Sequence, residues 1–285
     1  MKLKDKVAII TGGGRGIGEA TALAFAREGA RVVLAARTVP ELERVAGRVK
    51  DLGGSAQIVP ADVASRQAVD RMVTTALDSF GQVDILVNAA GVHGPIGLLW
   101  ESDPEEWVQA MEVNLHGTFF ACHAVLPDMI SRRQGCIINF SGGGATSPLP
   151  RFTAYGVSKT AVVRLTETLA EEVKGFNIRV NAIAPGMVDT KLQDGVLAAG
   201  ERAGELHSRI RRLRGTGDGG APRELAAELA VFLSGEASGG LTGKLIAAPH
   251  DGWQSWDDKR IGELMALPWL TLRRLDAFTL RPFQQ

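Results

Sequence analysis

The chain has 285 residues, 45% of them apolar and 22% charged, the composition of a globular protein with a large core and not of a disordered or fibrous chain. Lys plus Arg and Asp plus Glu number 32 each, so no overall basic field exists to hold nucleic acid or an anionic membrane. The two cysteines, Cys122 and Cys136, lack CxxC spacing, which argues against a disulfide framework or a zinc site and for two buried thiols, no metal and a reducing cytosol.

The first residues, MKLKDKVAII, place only four apolar positions after the charges, too few for a signal-peptide core, and no later stretch approaches a membrane span. A cytoplasmic protein is the expectation. Short β-branched runs at 7–10, 31–36, 56–61, 83–88, 136–141, 178–183 and 244–248 read as strands. Between them lie amphipathic stretches at 17–28, 41–52, 65–80, 104–131 and 153–174. Apolar runs without strict alternation, separated by helices, predict a parallel sheet covered on both faces: a Rossmann-like, doubly wound α/β fold of seven strands.

No proline-rich or serine-rich linker interrupts this rhythm, so one dinucleotide-binding and catalytic domain is expected over 1–252. Residues 253–285 form an extension carrying Trp253, Trp256, Trp269, Phe278 and Phe283. Aromatics in this number do not dangle in water. They are expected to pack on the domain or, preferentially, across a subunit interface.

At the end of the first strand stands TGGGRGIG, Thr11 to Gly18. Glycines let the main chain turn sharply and approach a ligand, and the helix that follows offers free N–H groups to a pyrophosphate. The spacing is not GxGxxG; Gly12, Gly16 and Gly18, with Ile17 between, are the candidates. Taken alone, a plain glycine-rich turn explains it as well. Further along come Asp62 and Val63 after the third strand, NAAG at 88–91 after the fourth, Ser141 after the fifth, YGVSK at 155–159, and Pro185 and Gly186 after the sixth. All lie just beyond the carboxyl end of an expected strand, where open α/β sheets bind ligands.

Together, in this order, these motifs resemble the short-chain dehydrogenase/reductase family over roughly residues 5–252. The resemblance implies an oxidoreductase that moves a hydride between a nicotinamide dinucleotide and the carbonyl or secondary alcohol of a small molecule, and a homodimer or homotetramer. Tyr155 is the single tyrosine of the chain. A free phenol has a pKa of about 10, and Lys159, one helical turn on, is expected to favour the phenolate and make Tyr155 a general acid/base. Ser141 would hold the substrate oxygen. By resemblance Asn114 completes the tetrad, its amide ordering a water chain to Lys159.

By the same resemblance Asn88, Ala89 and Gly91 shape the site near the adenosine, Asp62 and Val63 meet the adenine, and Pro185, Gly186, Val188 and Thr190 lie along the nicotinamide. The second strand ends in Ala36 and Arg37 where an NAD site would carry an acid. Arg37, with Arg15 from the glycine loop, is therefore expected to fork a 2′-phosphate, favouring NADP(H) with NAD(H) possible. Segment 93–100 and residues 187–220 are expected to wall the substrate pocket, the latter as a mobile lid carrying Arg209, Arg211, Arg212 and Arg214.

Bland explanations remain for single residues: Ser141 as a strand-end turn, Asn114 as an ordinary helical asparagine, the arginines as a solvated face. Two other function classes are distinguishable. A cofactor-binding protein without chemistry would lack the tetrad, and a serine hydrolase would need a histidine and an acid at Ser141 and a GxSxG elbow, which FSGGG is not.

Overall fold

The computed structural model describes residues 1–274. Seven parallel strands run in the order β3-β2-β1-β4-β5-β6-β7: β1 Val7–Thr11, β2 Arg31–Ala36, β3 Ser55–Pro60, β4 Ile85–Asn88, β5 Gly135–Phe140, β6 Ile178–Ala184 and β7 Leu245–Ala247. Alternate residues of each strand feed opposite cores, and both sets are apolar. Ala8, Ile10, Val32, Leu34, Ile85 and Val87 meet Phe25 of helix α1 (Gly16–Arg27), Leu42 of α2 (Val39–Asp51) and Leu229 of α9 (Arg223–Ser234). Ile9, Val33, Leu86 and Ile137 meet Met72 of α3 (Arg66–Phe80), Val125 of α5 (Gly117–Arg132) and Leu169 of α6 (Thr153–Glu172). This two-sided burial is why the strands lack a polar alternate. The strand order reverses between β1 and β4, and that reversal opens a crevice at their carboxyl ends.

The expected continuous helix over 104–131 is instead broken. Asp103 caps helix α4 (Pro104–Met111) by accepting from the Glu105 N–H at 2.7 Å, and a π-helical stretch, Glu112–His116, then leads into α5. One extra residue in the turn carries Gly117 N–H to the Glu112 carbonyl and leaves Asn114 fully buried. Apolar periodicity does not register a slip of one residue, so the sequence pattern missed it. The crowding does register: a Cβ on Gly117 would lie 2.8 Å from Val63 Cγ2.

The described part of the aromatic extension packs on its own chain, the first of the two placements expected for it. Trp253 is buried against Phe232, ring centroids 5.6 Å apart, and donates to the Ala248 carbonyl at 3.0 Å. Trp256 and Trp269 pack against the same core, joined by Ile261 and Leu264 of α10 (Asp258–Ala266). Farther on, Leu245 N–H donates to the Leu270 carbonyl at 2.7 Å, and Lys244 Nζ donates to the carbonyls of Leu267 and Trp269 at 2.9 and 3.1 Å. The tail thus covers the outer edge of β7, whose main-chain groups would otherwise stand unpaired. Phe278 and Phe283 lie outside the described residues.

Residues 187–220 form a helical pair, α7 (Leu192–Ala199) and α8 (Glu205–Thr216). Arg214 bridges Asp189 and Asp194 at 2.8 and 2.7 Å, whereas Arg209, Arg211 and Arg212 are exposed. Among the described residues no helix is long and apolar enough to cross a membrane, and no group of His, Cys, Asp and Glu is arranged to hold a metal.

Candidate active site

The crevice at the sheet reversal is a cleft open to solvent. Its floor is the glycine loop. Thr11, at the tip of β1, accepts hydrogen bonds from the N–H groups of Ala89 and Ala90 at 3.2 and 3.3 Å and so ties the β1 and β4 loops together. A Cβ on Gly12 would lie 2.9 Å from Ala90 N, and one on Gly18 only 2.2 Å from the Gly12 carbonyl oxygen. Only glycine permits this closure. Gly16 has φ +58° and faces Thr190. The extended Arg15 that precedes α1 supplies no side-chain cap, so the first N–H groups of the helix stay free for an anion. A cradle that any Cβ would fill, with uncapped main-chain donors above it, fits the pyrophosphate of a dinucleotide.

Ile17, Arg37, Asp62, Val63, Ala89 and Gly91 line this cleft, as do Pro185 and Thr190. Asp62 Oδ1 accepts from Ala64 N–H at 3.0 Å, which shapes the β3 loop. Three expected contacts stand behind the wall. Asn88 is buried and donates to Asn139 Oδ1 at 2.9 Å, linking β4 to β5. Gly186, with φ +79°, fits beneath Pro249, and Val188 is buried beside it. Arg15 is not free: its Nη1 lies 3.4 Å from Glu41 Oε1, which is also 3.4 Å from Lys191 Nζ. Glu41 and Lys191 were not foreseen from the sequence, since residues 150 positions apart leave no local pattern.

Tyr155 and Lys159 sit one turn apart on α6 and both line the cleft, with Ser141 at the end of β5. A Cβ on Gly142 would lie 2.1 Å from the Tyr155 hydroxyl oxygen, so glycine at 142 is what lets the phenol reach the Ser141 loop. Ser141 Oγ approaches the Lys159 carbonyl at 3.5 Å. Lys159 Nζ donates to the Phe140 carbonyl at 2.9 Å and stands 5.8 Å from the centre of the Tyr155 ring. Asn114 Nδ2 donates to the Val92 carbonyl and to Ser158 Oγ, both at 2.9 Å, and its Oδ1 accepts from Val92 N–H at 2.9 Å. These bonds use both N–H groups of the amide. Asn114 therefore ties the loop at Val92 to Ser158 of α6.

The electrostatics also correct an expectation. Burial pushes the Tyr155 phenol up to about 12 and pulls the Lys159 ammonium down to about 8. Desolvation penalises whichever form is charged, and it is the cause of both shifts. The Tyr155 phenol is consequently protonated at neutral pH.

A pH dependence of stability follows. Lys159 titrates near 10.5 when unfolded and near 8 when folded, so in that interval the unfolded chain binds more protons and stability rises with pH. The contribution is complete above 10.5 and lost as pH falls through 8. Tyr155 works the other way: its contribution is present below 10 and lost as pH climbs toward 12. Thermal melts between pH 8 and 10 should rise for wild type and stay flatter for Lys159→Met. Parallel curves for the two proteins would contradict the assignment.

His93 completes the neighbourhood, its ring edge-on to Tyr155 at 4.9 Å between centroids. Burial first, then the charge of Lys159, lowers its pKa to about 4.

A family profile described as short chain dehydrogenase matches residues 6–199. The short-chain reductase protein NovJ of Streptomyces niveus is 38% identical over 247 residues, 85% of this chain and 92% of its own. Among solved structures, an NAD+-bound xylitol dehydrogenase superposes with a TM-score of 0.80 at 30% identity, covering 87% of this chain and 98% of its own. A single-substitution variant of actinorhodin polyketide ketoreductase with NADPH gives a TM-score of 0.79 at 28% identity, over 85% and 95% of the two chains.

Proposed function

The chain belongs to the short-chain dehydrogenase family and is an NAD(P)-dependent oxidoreductase acting on alcohol or ketone groups; from that premise we propose that it works with NADP(H) and that Tyr155 carries the proton. The observation that carries this reading is the placement of the Tyr155 oxygen against Gly142, beside Ser141 and one turn from Lys159, on the wall of a cleft floored by the glycine loop. A bound nicotinamide supplies or takes the hydride at the substrate carbon. Ser141 holds the substrate oxygen by a hydrogen bond. Tyr155, protonated at neutral pH, gives its proton to that oxygen in reduction and takes it back in oxidation. Lys159, with a pKa brought near 8, offsets negative charge left on the phenol. Asn114 holds the 88–92 loop in register beneath both.

Support for NADP(H) comes from the far end of the cleft. Ala36 and Arg37 stand where an acid would select NAD, and Arg15 and Lys191 converge on the same region. Glu41 now balances those two cations; a 2′-phosphate would compete for them. Ala36→Asp should move preference toward NADH, and Arg37→Ala should weaken NADPH by roughly tenfold to a hundredfold. Initial rates with both cofactors at equal concentration, over a panel of ketones and with Tyr155→Phe as blank, test the proposal. Faster turnover of NADH than of NADPH by wild type would refute the cofactor assignment. A homo-oligomer is part of the same reading, supported by the exposed side chains of Val108 on α4 and Phe119 on α5.

A further inference from the structure

A buried carboxylate joins the first turn of α1 to α2, directly behind the glycine loop. Glu19 is 4% exposed and stands between two guanidiniums. Arg44 grips it as a fork, Nη1 donating to Oε1 at 2.6 Å and Nη2 to Oε2 at 2.9 Å, and Arg48 Nη1 donates to Oε1 as well. The hydrogen bond from Arg44, first among the causes, holds the Glu19 carboxyl below its usual range. A clamp between two helices needs no more than this.

Arg44 does one thing more: its Nη2 also donates to the Gly14 carbonyl at 3.0 Å. Among the described residues the Arg48 guanidinium bonds Glu19 only. Gly14 and Arg15 line the cleft, and a Cβ on Gly14 would lie 3.1 Å from Glu41 Cβ, which puts this peptide at the end of the cleft formed by Ala36, Arg37 and Glu41. Arg44 does not line it. The peptide is trans, and a planar trans peptide directs its C=O and N–H to opposite sides. With the Gly14 carbonyl drawn toward α2, the Arg15 N–H of the same peptide is turned the other way. Glycines at 13 and 14 give that peptide little steric restraint of its own, so its orientation depends on what holds the carbonyl.

We infer that Arg44 is a positioning residue for the cofactor, which ties back the Gly14 carbonyl so that the Arg15 N–H and side chain are presented to the ribose and 2′-phosphate at the adenosine end of the dinucleotide. Glu19 fixes the guanidinium, and the guanidinium fixes the loop. This rests on the NADP(H) reading and adds to it a residue that touches no ligand.

The test compares Arg44→Met with Arg48→Met. Each removes one guanidinium from Glu19 and one positive charge from α2, and each leaves the carboxylate one partner. Urea unfolding should therefore report losses of similar size. Affinity for 2′,5′-ADP, measured by calorimetry, should fall roughly tenfold in Arg44→Met and less than about twofold in Arg48→Met. Affinity retained in Arg44→Met, or an equal fall in both variants, would overturn the inference. A second readout follows the peptide itself. Gly–Arg occurs twice in the chain, at 14–15 and 47–48, so labelling glycine carbonyl carbon and arginine nitrogen leaves two correlated amide resonances, of which Arg48→Met removes one. The Arg15 signal of wild type should move on addition of 2′,5′-ADP, and a stationary signal would sink the inference. That measurement decides if Arg44→Met does not fold. Should wild type bind 5′-ADP more tightly than 2′,5′-ADP, the NADP(H) assignment falls, and the same comparison made with 5′-ADP decides for or against Arg44.

Discussion

Replacing Tyr155 with phenylalanine is expected to lower kcat by roughly a thousandfold, within the range of a general acid/base contribution, while leaving fold and cofactor affinity nearly intact. The change removes one oxygen. The ring itself stays packed edge-on to His93 at 4.9 Å and within the cluster around Phe152, so the surrounding helices have no reason to move. Loss of the only phenol of the chain also removes the sole side chain able to do tyrosine chemistry. Three measurements separate chemistry from structure: kcat with the best ketone, cofactor affinity by fluorescence titration, and the melting temperature. Retention of more than about a tenth of wild-type kcat, with the other two unchanged, would mean that the proton travels by another route, and the proposed mechanism would be abandoned.

Gly18→Ala should produce the other large effect, this time on cofactor binding. The added methyl would lie 2.2 Å from the Gly12 carbonyl oxygen and 2.7 Å from its carbon. Both are main-chain atoms of the loop proposed to cradle the phosphates. No side chain can swing aside, so Gly12 and with it the contact to Ala90 must shift. Cofactor affinity is expected to fall more than about a hundredfold, near 2.7 kcal/mol, and the overpacked turn should cost about 1–3 kcal/mol in urea unfolding. Gly47→Ala is the matched control: that helical glycine meets nothing within 4 Å, and alanine there should stabilise by about 0.5–1 kcal/mol. Wild-type affinity in Gly18→Ala would show that the loop does not hold the cofactor.

The two predictions probe features that were legible to different depths. Tyr155 and Lys159, four apart in a helical stretch after a glycine-rich segment, announced a shared face before any coordinates. Gly12, Gly16 and Gly18 were likewise visible, because a glycine requirement is written in the local chain. What Gly142 does was not. Its neighbour is an atom of Tyr155, thirteen positions away in the chain and brought close only by the packing of α6 on β5. His93 stands in a segment expected to wall the pocket, yet its orphaned Nδ1 depends on what surrounds it in space.

Expectations drawn from spacing and composition stop short for one reason. The acidified phenol assumed that an ammonium one turn away dominates, but the balance between attraction and desolvation depends on burial, which spacing along a helix does not report. The number of tail aromatics called for a packing surface without saying which; the β7 edge and the α9 surface that receive Leu270 and Trp253 exist only in the folded sheet. The continuous helix over 104–131 ignored a one-residue π insertion because apolar periodicity averages over turns.

By itself the sequence determined the seven-stranded doubly wound architecture, the family, the glycine loop and the Tyr155 and Lys159 pair, since each depends on periodicity or on residues close together in the chain. Tertiary structure alone decided the ionisation of that pair, the use of the Asn114 amide on Val92 and Ser158, the pairing of Glu41 with Arg15 and Lys191, and the unsatisfied nitrogen of His93. The physical reason is that solvation and hydrogen-bond satisfaction are properties of a residue's whole surroundings, and those surroundings are assembled from segments far apart in the chain.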